Sequence, residues 1–384
     1  MRKNNSIKVL HITTGLGVGG AESILVDLLK NMDSKRIDQS VLCLGSPVRR
    51  IELDDFDGVN IEYLDLDRSV YDLLSKIKTL RYHINNHKPD IVQTWMYHAD
   101  LLGGIAAKLE GIPVVWGLFT GNLEWKHYKI RTLLIIKLCA VVSHFVPEFV
   151  LSCSHRGVEE HGRIGYSKKR MKYVTTGFDT VRFNQDKFQG TNYRLSLGID
   201  ADVLLIGIVA RFDPQKDYES LFRAISIFRL KTRKFVVLVA GGYGVGDKDN
   251  PFSKLIGKHQ LEEYVVALGY VSDIVGFYNS LDLMVLSTHG EGLPRVIGEA
   301  MATGVPCIAT DVGDIAKIVG KTGIVVPRSN PEKFSDAIRI MSSWTGAEKL
   351  QKGEHARQRI IDEYSIDRMV VEYTEIYEQL ILSA

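Results

Sequence analysis

The sequence predicts an α/β fold of two doubly wound parallel-sheet domains in tandem. Short apolar runs alternate with stretches of helical spacing along the whole chain, starting with residues 7–12 and 21–32. A polar segment at about 183–199 interrupts this series, which then starts again. The length, 384 residues, suffices for two domains of ordinary size.

In the first series, residues 7–12, 40–44, 59–64, 91–94, 113–116 and 149–152 read as strands. Helices are expected at 21–32, with Ile24, Leu25, Leu28 and Leu29 on one face, and at 70–85, 99–109 and 130–142. Gly111 closes the third of these. Asn184, Gln185, Asp186, Gln189, Gly190, Thr191 and Asn192 give the break its polar character. The expected division is a first domain at 1–184, a linker at 185–200, a second domain at 201–362 and a closing helix at 363–384. In the second series, strands are expected at 203–209, 235–240, 265–268, 283–286 and 307–310. Helices are expected at 218–230, 251–259, 274–279 and 314–319, then at 331–344, 347–363 and 365–382. Two such sheets facing each other would leave a cleft at the carboxyl ends of their strands, where ligands bind in open α/β sheets.

Composition narrows the class. Hydrophobic residues make up 45% and charged residues 24%, as in water-soluble globular proteins. The net charge of +2 gives no reason to expect nucleic acid as a partner. Residues 1–200 carry 27 Lys and Arg against 22 Asp and Glu, a weak basic bias toward an acidic substrate or anionic membrane. Cys43, Cys139, Cys153 and Cys307 form no CxxC pair and read as buried free thiols of a reducing compartment. The start of the chain is charged and runs straight into a strand, so no signal peptide is read and a cytoplasmic protein is expected. The most apolar stretch, 132–150, is broken by Lys137, His144, Pro147 and Glu148, and reads as helix then strand rather than a membrane span.

The stretch 287–302 organises the chain. It follows the apolar run 283–286 and leads into a helix with Pro294 at its first position and Val296, Ile297, Ala300 and Met301 at helical spacing. Its turn carries Glu291, and Glu299 lies on the helix. The amides of Gly292 and Leu293 are expected to be free at the helix start, a place for a phosphate. One phosphate site between two hydroxyl-binding carboxylates suits a sugar nucleotide.

Other candidates lie just past strands. Gly15, Gly17 and Gly20 match GxGxxG and, with Gly19, offer either a tight turn or a close approach of phosphate or acceptor. A nicotinamide enzyme is disfavoured, because the second strand ends Leu44-Gly45-Ser46 without an acid for ribose. His98 would orient a sugar hydroxyl or move a proton, unless it is merely packed among aromatics. Arg211 and Lys216, five residues apart in a turn before a helix, suit a diphosphate. Asp65-Leu66-Asp67 imitates a DxD metal motif but reads as a solvated loop in an acidic region with Asp54, Asp55, Asp57 and Glu62. His155 and His161 flank Glu159 and Glu160 without completing a zinc site, so no metal is expected.

Together these residues resemble the retaining glycosyltransferases of family 4, with the GT-B fold of two facing Rossmann-like domains. The resemblance runs nearly the whole length. It includes Gly15–Gly20 with Ala21-Glu22, the segment Gly177–Phe183, the pair Arg211 and Lys216, and Glu291 and Glu299 with seven residues between them. It implies that Arg211 and Lys216 bind the donor diphosphate, Glu299 the ribose and Glu291 the transferred sugar. The base would lie against 269–273, including Val271, and the loop of Gly17, Gly19 and Gly20 would approach donor phosphate or acceptor. Trp95 stands where some relatives carry histidine. The last helix would cross back onto the first domain.

The expected activity is metal-independent, cofactor-free hexosyl transfer from a nucleotide sugar to a saccharide or lipid-linked acceptor, in polysaccharide or glycoconjugate synthesis. A sugar-nucleotide epimerase or phosphorylase of the same architecture, and a non-catalytic sugar-nucleotide-binding protein, are the alternatives. Trp125–Arg131 with the helix through Ala140 reads either as an interfacial helix on an anionic membrane or as a core-facing helix with a solvated basic end.

Overall fold

The structure, a computed structural model, describes residues 6–17, 19–47, 58–66, 72–121, 129–229, 234–241 and 250–383. The chain forms two compact units, Met1–Gly177 with Ile366–Ala384, and Phe178–Ser365.

The first unit runs β1 (Ile7–Thr13), α1 (Gly20–Asn31), β2 (Ile37–Cys43), β3 (Asn60–Tyr63), α2 (Leu73–His87), β4 (Ile91–Trp95), α3 (Tyr97–Leu109), β5 (Val114–Leu118), α4 (Ile130–Val142), β6 (Phe149–Ser152), α5 (His155–Arg163) and β7 (Met171–Tyr173). Its seven strands order β3-β2-β1-β4-β5-β6-β7, and every pairing is parallel. Every residue of β4 and β5 is buried, as expected of inner strands covered on both faces. Ile24, Leu25, Leu28 and Leu29 turn into the core, as the spacing of α1 requires.

The second unit runs α6 (Lys187–Ser196), β8 (Leu204–Val209), a 3-10 turn (Pro214–Lys216), α7 (Tyr218–Arg229), β9 (Phe235–Ala240), α8 (Pro251–Lys258), β10 (Val265–Gly269), α9 (Ile274–Ser280), β11 (Leu283–Leu286), α10 (Arg295–Ala302), β12 (Cys307–Thr310), α11 (Ile315–Val319), β13 (Ile324–Val326), α12 (Pro331–Ser342) and α13 (Gly346–Tyr364). The last helix, α14 (Ile366–Ser383), belongs to the first unit, where Met369, Tyr373, Tyr377 and Leu380 share a core with α1 and β4. The six strands of the second sheet order β10-β9-β8-β11-β12-β13, again all parallel.

Both orders reverse direction at one place: between β1 and β4 in the first sheet, and between β8 and β11 in the second. At such a switch point the loops leaving the two strands' carboxyl ends diverge and open a crevice.

The polar stretch expected as a linker, 185–200, is folded instead and lies inside the second unit. Asp186 caps α6 by accepting from the Gln189 amide at 3.0 Å. Arg194 donates to the Ser280 carbonyl at 2.7 Å and to Asp282 at 2.8 Å. The polar residues that suggested a linker are capping and docking groups. The chain passes between units at Gly177/Phe178 and Ser365/Ile366. Helix α5 and strands β7 and β13 were not expected from the sequence. The strands have three residues each, too few to show alternation, and the buried positions of α5 are Gly157 and His161. All four cysteines are free and buried, and the stretch 132–150 is helix followed by strand.

Candidate functional site

At the switch point of the second sheet, the loop after β8 carries Arg211 and Lys216, and the loop after β11 carries Glu291. A ladder of hydrogen bonds zips these two loops together. Ser287 Oγ donates to the Lys216 carbonyl at 2.8 Å. Thr288 Oγ1 and the His289 amide both donate to the Gln215 carbonyl, at 3.1 and 2.8 Å. Gln215 Nε2 returns a bond to the Gly290 carbonyl at 2.6 Å. From the far side, Thr310 Oγ1 accepts from the Thr288 amide at 2.9 Å and donates to its carbonyl at 2.8 Å. The result is an ion pair between Lys216 Nζ and Glu291 Oε1, both side chains largely shielded from water. Arg211, in the same loop as Lys216, is exposed and has no ion pair among the described residues.

Glycine decides the path of this loop at one point. Gly313 has φ +55°, and a Cβ there would lie 2.3 Å from the Glu291 carbonyl oxygen and 2.4 Å from that of Gly292. The Asp314 amide then donates to the Gly292 carbonyl at 3.1 Å. The sequence offered a signal for Gly313, a glycine just past β12, but none for its close approach to Glu291.

Helix α10 begins at Arg295 with Pro294 as its N-cap, one residue later than expected. The amides of Gly292 and Leu293 therefore stand in the loop before the helix, and neither donates to a partner among the described residues. Glu299 sits in the second turn of α10. Its Oε2 accepts from Tyr278 Oη at 3.0 Å, and its Oε1 lies 3.4 Å from Arg295 Nε. Tyr278 is fully buried, and burial followed by the Glu299 carboxylate keeps its hydroxyl protonated and donating. Arg357 of α13 holds the other end of α10, donating to the Ala302 carbonyl and to Phe183 and Thr180 at 2.8 and 3.1 Å. Tyr278 and Arg357 had no motif to mark them.

Val271 follows β10, half-buried, in the loop that ends at Asp273, which caps α9 by accepting from Gly276 at 2.9 Å. That loop neighbours the β8 and β9 loops: the Ala210 amide bonds to Ala240, and that of Gly241 to Gly269. The second unit thus brings Arg211, Lys216, Val271, Glu291, Gly292, Leu293 and Glu299 to one end of one sheet.

The first unit gathers the other candidates at its own switch point. Gly17 and Gly19 lie between β1 and α1, with Gly19 as an extended N-cap, and Gly20 is the first residue of α1. His98 is half-buried in the first turn of α3, after β4. The residue that turns the chain there, Met96, has φ 68°, a costly conformation for a side chain of its size. Trp95 is core: its ring stacks on Phe119 at 4.9 Å, and Nε1 donates to His11 Nδ1 at 3.2 Å. Burial lowers the His11 pKa to about 4. His161 is likewise packed, donating from Nδ1 to the Gly157 carbonyl at 2.7 Å and accepting from Tyr97 Oη at 2.9 Å; its pKa is pushed down to about 4. Asp100 is buried beside Thr94 Oγ1 at 2.6 Å, and burial pushes it up to about 7. Among the described residues, no cluster of three or more His, Cys, Asp or Glu side chains is placed to hold a metal. Asp65 accepts from Ser46, while Asp54, Asp55, Asp57 and Asp67 lie outside the described residues.

Two Rossmann-like units of this kind define the GT-B class of fold. Solved structures match over the whole length: Anabaena HepE in complex with UDP and glucose superposes with a TM-score of 0.83 at 19% identity, covering 97% of this chain and 99% of that one. The family models named Glycosyltransferase Family 4 and Glycosyl transferases group 1 match residues 18–182 and 203–343. The chain belongs to this glycosyltransferase family. Relatives include the capsular polysaccharide biosynthesis glycosyltransferase CapM of Staphylococcus aureus, 27% identical over 85% of this chain and 87% of that protein. Another is the Escherichia coli UDP-Gal:alpha-D-GlcNAc-diphosphoundecaprenol alpha-1,3-galactosyltransferase, 21% identical over 99% of each. The epimerase and non-catalytic readings are not favoured by these matches.

Proposed function

We propose that this glycosyltransferase moves a hexosyl group from a nucleotide diphosphate sugar to a hydroxyl of a saccharide or lipid-linked acceptor, with retention at the anomeric carbon and without metal, in polysaccharide or glycoconjugate synthesis. The observation that carries the reading is the convergence of Arg211, Lys216 and Glu291 at the switch point of the second sheet. In this reading, Arg211, Lys216 and the amides of Gly292 and Leu293 hold the diphosphate, and Glu299 holds the ribose. Glu291 positions the sugar, and the base lies against the loop of Val271. A uridine diphosphate sugar is the first donor to try, because HepE was solved with UDP and with UDP-glucose. A polyprenyl-diphosphate-linked sugar is the first acceptor, by analogy with the E. coli relative.

The bond from the anomeric carbon to the leaving diphosphate oxygen breaks as negative charge grows on that oxygen. Cations and amides fixed in advance stabilise this charge more than they stabilise the ground state. The acceptor hydroxyl attacks from the face the diphosphate leaves, and its proton passes to the leaving oxygen. The loop of Gly17, Gly19 and Gly20 in the first unit approaches the donor phosphate or the acceptor, and His98 orients a hydroxyl. The reaction takes place in the cytoplasm.

A thermal-shift screen of nucleotide sugars identifies the donor, since a ligand of the folded state raises the melting temperature. The anomeric configuration of the product, read from its NMR coupling constant, then tests retention. Absence of stabilisation by any nucleoside diphosphate sugar would overturn the reading, as would unaltered turnover in Glu291→Gln.

A further inference from the structure

Helix α4 is apolar on two faces, and among the described residues only one of them is covered. Ile135, Ile136, Cys139 and Ala140 are buried against the first unit. On the opposite side, Ile130, Leu134, Leu138, Val141 and Phe145 are 70, 62, 44, 63 and 71% exposed. Their spacing of four, four, three and four residues places them in one stripe along the helix and the turn after it. Exposed large apolar residues are ordinary singly, but a continuous stripe marks a contact surface.

Charge indicates what covers it. Residues 129–147 contain no Asp or Glu, while Lys129, Arg131 and Lys137 are exposed around the stripe. Exposed Lys168 and Lys169 join them from the loop between α5 and β7, which is pinned to the end of α4 by the Ser167 amide donating to Ser143 Oγ at 2.9 Å and by the 3.1 Å bond of His144 Nε2 to the Gly165 carbonyl. An apolar stripe flanked by these cations fits an acyl boundary under anionic headgroups. A second copy of this chain would bring the same cations face to face. The 13-residue helix is about 20 Å long, against a hydrocarbon core of about 30 Å, so it is too short to cross a bilayer. No described helix is long and apolar enough to span.

We infer that the exposed face of α4, with Lys168 and Lys169, docks the protein onto an anionic membrane surface. This goes beyond the proposed donor chemistry and its test needs no nucleotide, so the two can fail separately.

The full chain is sedimented with vesicles of phosphatidylcholine alone and with about one-third phosphatidylglycerol. The expected result is binding to the anionic vesicles only, weakened by high salt. The double variant Leu134→Gln/Phe145→Gln and the triple variant Lys137→Gln/Lys168→Gln/Lys169→Gln should each lower the bound fraction about tenfold, with melting temperatures unchanged because all five side chains are exposed. Absence of binding by the unaltered chain overturns the inference. So does a dimer in solution that the Leu134→Gln/Phe145→Gln variant dissociates, which would assign the stripe to a second copy.

Discussion

The hydroxyl of Tyr278 donates to Oε2 of Glu299 over 3.0 Å from a side chain with no exposure of its own, while Arg295 faces Oε1 of the same carboxylate. The two partners fix the carboxylate's plane while leaving it one turn inside α10, where the reading given above puts the donor ribose. Removing the Tyr278 hydroxyl deprives Glu299 of an orienting donor without touching ligand. Tyr278→Phe should raise the donor KM roughly fivefold, the equivalent of about 1 kcal/mol, with kcat little changed. Steady-state kinetics with the donor found by thermal shift measures both. A fall in kcat at constant KM would contradict this role.

Arg211 differs from Lys216 in having no carboxylate partner among the described residues. Its guanidinium is accordingly the group whose interaction with the diphosphate has least to displace. Arg211→Ala should slow transfer by roughly two to three orders of magnitude, the scale for losing one preorganised stabilising group. Single-turnover rates check it, and near-normal transfer would remove Arg211 from the site.

The loop bearing Glu291 depends on the absence of a side chain at position 313. Gly313→Ala combines a left-handed backbone with two carbonyl contacts that no real Cβ tolerates. We expect a loss of about 1–3 kcal/mol in stability and weaker donor binding. Calorimetry and a donor titration on the same sample distinguish this from a loss of stability alone.

Stability should fall on mild acidification. His11 and His161 have pKa values near 4 in the fold, against 6.5 ordinarily, because burial disfavours the imidazolium. Below about pH 6.5 the unfolded chain takes up protons that the folded chain refuses, so stability is full above that value and is lost as the pH falls toward 4. Each histidine contributes up to ~3 kcal/mol of this loss. Asp100 has the opposite sign: raised by burial to about 7, it stays neutral in the fold, and its effect costs stability as the pH rises from about 4 to 7. Melting temperature against pH should therefore steepen on the acid side in Asp100→Asn, which removes the opposing group. An unchanged profile would show that Asp100 does not titrate in that range.

The sequence alone determined the βα alternation, the tandem sheets and the short list of candidate groups, because periodicity and glycine placement are written locally. Arg211, Lys216, Glu291 and Glu299 were legible from residue type and their place after apolar runs. Helix α6 was not, since its polar residues act through partners 80 to 90 positions away, such as Asp282 and Ser280. Nor were Tyr278, Gly313 and Gln215, whose roles exist only once α9, β12 and the turn after β8 meet the Glu291 loop. Likewise the apolar composition of α4 was plain, but which of its faces is covered was not, because only the packed core decides which side of an evenly apolar helix remains in water.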